Sequence, residues 1–79
     1  MKQYSKWVNR ISGEATRFYM YDEDEQFTIA VNTNDKMQEI YYHDRLLNSA
    51  KEENEPCSPE EFRLAYLQTF NALSKIAMA

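Results

Sequence analysis

The sequence predicts an α+β fold: a small antiparallel meander of about three strands packed on a long C-terminal helix, preceded by a short N-terminal helix or extra strand. Three observations predict it. Residues 15–21 and 26–32 each alternate apolar and polar side chains with a period of two, the pattern of half-buried strands. Residues 58–61 spell a helix start, followed by apolar residues at helical spacing, the signature of an amphipathic helix. The chain has 79 residues, room for one small domain and one core, so residues 1–79 are read as a single domain.

The first segment places Tyr4, Trp7, Val8 and Ile11 at i, i+3, i+4 and i+7 among polar residues, a helical stripe that Gly13 stops. A strand turning at Ser12-Gly13 competes with that helix. In the next segment Phe18 and Met20 alternate with Arg17, Tyr19 and Tyr21. Phe27, Ile29 and Val31 then alternate with Thr28, Ala30 and Asn32. Aromatic and β-branched content at period two makes both segments strands. Asp22-Glu23-Asp24-Glu25 lies between them. Without a glycine it suits a loop of four or five residues better than a tight primed turn.

Asn32-Thr33-Asn34-Asp35 forms a second turn, because Asn and Asp bond their own backbone. Met37 to His43 reads as a third strand whose phase is unclear, since both faces carry apolar residues. A helix starting near Asp35 through Met37, Ile40 and Tyr41 competes with it. Asp44 to Pro56 reads as loop, with one helical turn at Arg45 to Ala50 as an option. Ser58-Pro59-Glu60-Glu61 is a capping box with proline at the first helical position, and Cys57 and Phe62 flank it as a hydrophobic staple. Glu60 and Glu61 suit the positive helix start and Lys75 the negative end. The helix is placed at about 59–77. Its docking face is Phe62, Ala65, Tyr66, Phe70, Leu73, Ile76 and Ala77.

Composition excludes several function classes. One glycine removes every glycine-rich phosphate loop. One cysteine removes an internal disulfide and multi-cysteine zinc sites, and one histidine removes a histidine-rich metal centre. No apolar run is long enough for a membrane span or a signal-peptide core, and a lone cysteine fits a reducing cytoplasm. The net charge is −4, with twelve of the thirteen acids between residues 22 and 61. An acidic middle repels the phosphate backbone and disfavours direct nucleic-acid binding, while it attracts basic partners.

Four features carry the candidate sites. Arg17, Tyr19 and Tyr21 share the strand face opposite Phe18 and Met20, and these residue types recur at interface hot spots. The plainer alternative is cover by the first segment, or cross-strand pairing with Thr28 and Asn32. Leu64 and Leu67, with Met78, lie on the helix side opposite the docking face. They form a homodimer seam or partner groove unless Tyr4 and Trp7 cover them. Asp22, Glu23, Asp24 and Glu25 form an acidic surface, most simply a solvated turn and otherwise a mimic of phosphate charge. They lack the central glycine and the spaced glutamate of a calcium loop.

Cys57 and His43 are the only nucleophile–base pair available. Glu55, Glu60 and Glu61 oppose a thiolate at Cys57, and His43 reads as a surface residue beside Asp44. The expectation is a non-catalytic protein–protein interaction module (adaptor, subunit or inhibitor), without cofactor or metal. It binds through Arg17, Tyr19 and Tyr21 or through Leu64 and Leu67. The alternatives are an acidic decoy occupying a nucleic-acid-binding protein, and a self-associating structural protein.

Overall fold

The structure, a computed structural model, describes residues 1–34, 36–46 and 54–78. Its strands are β1 (Lys2–Val8), β2 (Ala15–Asp22), β3 (Phe27–Asn32), β4 (Glu39–His43) and β5 (Glu55–Pro56), and its helix is α1 (Pro59–Met78). All strand pairings are antiparallel, in the order β4-β3-β2-β1-β5. The predicted α+β fold is therefore the observed one, with two further strands, β1 and β5, added to the meander on the β2 side.

The N-terminal segment is a strand, which corrects the preferred helix. An isolated helix of so few residues is marginal in water. As a strand, the same residues pair with β2 from Lys2↔Asp22 to Val8↔Ala15. Tyr4 and Lys6 then face the helix, and Trp7 faces the other way. Ile11, the last residue of the apparent stripe, is 98% exposed in the turn. Asn9 builds that turn: its backbone carbonyl accepts from Gly13 N at 2.8 Å, and its Oδ1 accepts from Ile11 N at 2.8 Å. Gly13 has φ +74°, a left-handed conformation in which glycine is favoured.

The β2–β3 hairpin closes between Asp22 and Phe27, a four-residue loop as expected. Asp22 is not part of a solvated run, however. It is buried, and its Oδ1 accepts from Asp24 N and Glu25 N, both at 3.1 Å. Gln26 supplies the reversal with φ 55°. In the next turn, Asn34 N donates to Asn32 Oδ1 and Lys36 N to Asn34 Oδ1, each at 3.0 Å. β4 follows as a strand rather than the competing helix, in continuous register with β3 from Asn32↔Glu39 to Thr28↔His43. Glu55 and Pro56, expected as loop, pair with Lys6 and Ser5 as a second outer strand. The optional helical turn at Arg45 to Ala50 falls mostly outside the described residues.

The helix begins where the capping signal places it. Glu61 N donates to Ser58 Oγ at 3.1 Å. The Glu61 carboxylate reaches back to the Ser58 backbone amide, as the capping box requires, and accepts from Ser58 Oγ at 3.4 Å. It also accepts from Lys6 Nζ at 2.8 Å, tying α1 to β1. Phe62 and Ala65 bury against Phe18, Met20 and Val31, and Tyr4, Ile29, Ile40 and Cys57 pack around them. Thr69 is buried on the same helix face. Phe70, assigned to that face from the helical wheel, is 50% exposed instead.

Candidate functional site

The helix covers one face of the sheet, and among the described residues no helix or second sheet lies over the other. Registers assign the open face: Gln3, Ser5 and Trp7 on β1, Arg17, Tyr19 and Tyr21 on β2, Thr28, Ala30 and Asn32 on β3, and Glu39, Tyr41 and His43 on β4. Arg17, Tyr19 and Tyr21 thus share the face that the sequence assigned to them.

The two ends of this face differ. At one end Tyr21 is 1% exposed, which removes it from the accessible binding residues. Its hydroxyl accepts from Ser5 Oγ at 3.2 Å, and Asn54, which bonds the same Ser5 Oγ at 3.2 Å, also hydrogen-bonds it. Burial pushes the Tyr21 phenol above its ordinary pKa, and the bonds to Ser5 and Asn54 oppose that rise. Beside it Thr28 is buried and donates to the Arg45 carbonyl at 3.0 Å. The chain leaving β4 and the chain entering β5 therefore both lie over this end.

The other end is open. An open groove of about 340 Å³ is lined there by Arg17, Tyr19, Ala30, Asn32, Met37, Glu39, Tyr41 and His43. Its floor is Ala30, which pairs with Tyr19 on one side and Tyr41 on the other. Neighbouring strands lie about 4.8 Å apart, so the two tyrosine backbones stand about 10 Å apart over a residue carrying only a methyl group. The result is a slot between two large side chains.

Each wall of the slot is braced by neighbours. Tyr19 lies 6.2 Å from Tyr21, centroid to centroid, and nearly parallel to it. Tyr41 lies 6.1 Å from His43 and donates to Glu39 Oε2 at 2.5 Å. That bond to a carboxylate raises the Tyr41 phenol, with burial adding to it. At the rim, the Arg17 guanidinium sits 5.4 Å from the Trp7 ring centroid. A slot with aromatic sides and a small apolar floor suits one inserted apolar or aromatic side chain. The rim of Arg17, Asn32 and Glu39 offers donors and acceptors to the surrounding backbone.

The remaining candidates lie apart from this groove. Leu64 is 58% exposed and Leu67 47% exposed, on the outer side of α1. The first segment does not cover them: Tyr4 packs against Phe62 at 5.6 Å beneath the helix, and Trp7 is on the opposite sheet face. The acidic turn is divided in its roles. Asp22 shapes the loop, Asp24 pairs with the N-terminal ammonium, and Glu23 accepts from Gln3 at 2.7 Å. His43 lies on the open face and Cys57 packs against the core on the helix side, so they form no pair. Burial, reinforced by Glu61, pushes the Cys57 thiol up, and Lys6 only partly offsets this.

Ala30, Asn32, Met37, Glu39, Tyr41 and His43 are groove residues that sequence reasoning did not assign to binding. The period-two pattern put Ala30 on the face of Tyr19. Nothing local fixed the phase of β4, because Ile40, Tyr41 and Tyr42 are all large.

No known protein family, no curated protein and no solved structure matches this chain at a significant level. Among the described residues no helix is long and apolar enough to cross a membrane, and no three His, Cys, Asp or Glu side chains converge as a metal site would need.

Proposed function

We propose that this protein is a non-catalytic protein–protein interaction module that receives an anchor side chain of its partner in the slot over Ala30. The observation that carries the reading is the register that sets Ala30 between Tyr19 and Tyr41 at the end of the face that the described residues leave open. Tyrosine and arginine bring large contact area and a polar end, and such residues dominate binding energy at interfaces. The net charge of −4 favours a partner with a basic contact surface. The lone thiol of Cys57, held protonated, is consistent with a reducing cytoplasm and with a non-catalytic role. The acidic-decoy reading has less geometric support, because Asp22 is buried and Asp24 is paired with the N-terminus.

Selection of displayed peptides on the immobilised protein tests this reading. Peptides carrying an aromatic or large apolar anchor near basic residues are expected, with affinity that falls as salt rises. Ala30→Leu fills the slot and is expected to abolish their binding while circular dichroism and Tm stay near those of the parent. Binding undisturbed by Ala30→Leu, but lost when Leu64 is changed to Glu, would move the site to the helix. Binding lost only on neutralising Glu23 and Glu25 would favour the charge mimic.

A further inference from the structure

The two outer edges of the sheet are built differently. On the β5 side the edge is two residues long and one of them is Pro56. Short strands and prolines are devices that prevent an edge from pairing with another chain. On the β4 side the edge is Glu39-Ile40-Tyr41-Tyr42-His43, with no proline, no lysine and no break in register. Among the described residues no strand pairs with its outer side.

The ladder phase shows which groups that edge offers. Thr33 N donates to Thr16 O across β2 and β3. Hydrogen-bonded pairs recur every second residue in an antiparallel ladder. The backbones of Val31 and Ile29 therefore point to β2, and those of Asn32, Ala30 and Thr28 point to β4. Their partners Glu39, Tyr41 and His43 are engaged with β3. The N–H and C=O groups of Ile40 and Tyr42 point outward. The bonds from Glu23 N to Met1 O and from Cys57 N to Tyr4 O fit the same phase across the rest of the sheet.

We infer that the β4 edge pairs with the β4 edge of a second copy of this chain, antiparallel and centred on Tyr41, joining two sheets across a two-fold axis. The sequence of β4 is complementary to its own reverse in this register. Ile40 meets Tyr42 of the partner subunit in a hydrogen-bonded pair, and the symmetry repeats that pair. These are the residues whose backbone groups point outward. Glu39 meets His43 of the partner subunit in a non-hydrogen-bonded pair, where side chains approach most closely and an acid opposite a histidine is favourable. Tyr41 meets its own copy on the axis. Pairing in the plane of the sheet leaves the groove over Ala30 open and brings the two grooves side by side on one face. The inference rests on β4 alone and is independent of the proposed function.

Sedimentation equilibrium over a dilution series, combined with amide hydrogen exchange on the full chain, tests it. The expected result is a reversible species of twice the 9.4 kDa chain mass. The Ile40 and Tyr42 amides should gain protection as concentration rises, while those of Glu39, Tyr41 and His43 are protected throughout. Tyr42→Pro removes only an outward N–H, so the internal ladder survives. Because the axis repeats the loss, dimer Kd should weaken at least about tenfold. Glu39→Lys should weaken the dimer, and adding His43→Glu should restore it, which covers the case in which the proline variant fails to fold. A monomer at every concentration overturns the inference. So does a dimer that leaves the Ile40 and Tyr42 amides unprotected and is broken by Leu64→Glu, since its seam is then the helix. Growth beyond two copies also overturns it, because a two-fold contact closes.

Discussion

The two faces of the sheet come from the same strands and differ in every alternate residue. On the helix side Phe18, Met20 and Val31 bury with Phe62 and Ala65, and their neighbours are apolar or aromatic. On the other side Arg17, Tyr19, Tyr41 and His43 keep polar ends and line an open groove. The covered end of the open face, at Tyr21 and Thr28, shows what burial demands there. Each hydroxyl has a partner, Ser5 and Asn54 for Tyr21 and the Arg45 carbonyl for Thr28. A layer of helix can cover apolar residues without such partners, whereas covering polar ones requires a matching group for each. The fold therefore places its apolar core and its open, polar-edged groove on opposite faces of one sheet.

Substitutions on the two faces should differ most. Phe62→Ala removes the central ring of the helix-side core, and a loss of about 3–5 kcal/mol in denaturant unfolding is expected. Tyr19→Ser and Tyr41→Ser should each cost less than about 1.5 kcal/mol on the same assay. Equal losses on the two faces would break the comparison.

Tyr21→Phe probes the covered end of the open face. Removing the hydroxyl that Ser5 and Asn54 bond should cost about 1 kcal/mol. A phenol held above its ordinary value stabilises the fold fully below the unfolded-state pKa, and that contribution is lost as pH rises through the raised value. Parent protein should therefore lose stability on the alkaline side, and Tyr21→Phe should lose less of it. Following tyrosinate absorbance alongside Tm checks both effects.

Gln26→Gly should be milder and stabilising. The left-handed φ of 55° at Gln26 costs an L-residue about 1–2 kcal/mol, and glycine returns part of that through its freer unfolded chain. A Tm rise of a few degrees is expected.

The smallest effect is at the Lys6–Glu61 tie. Lys6 holds the Glu61 carboxyl below its ordinary value, and Glu61 raises Lys6. The Glu61 contribution is present above the ordinary carboxylate range and is lost as pH falls through the lowered value. The Lys6 contribution is lost as pH rises through its raised one. Lys6→Met should flatten the acid limb of the stability profile slightly and leave neutral pH nearly unchanged, because an exposed pair is well screened.

The sequence by itself determined what neighbouring residues along the chain can decide. Period-two alternation set the faces of β2 and β3, and it placed Arg17 and Tyr19 on the open side. Ser58, Pro59 and Glu61 set the start of α1 to the residue. The tertiary structure decided whatever depends on a partner strand. Residues 4–8 satisfy a helical stripe as well as a strand, and only the ladder with β2 selects the strand. Tyr41 joins the groove because Ala30 lies between it and Tyr19, a relation between three strands that no window of sequence contains. Tyr21 and Asp22 read as surface residues until Ser5, Asn54 and the turn amides supply the hydrogen bonds that let them be buried. Local patterns encode which side of an element is apolar. Which polar groups can leave water depends on partners that only the assembled chain brings within reach.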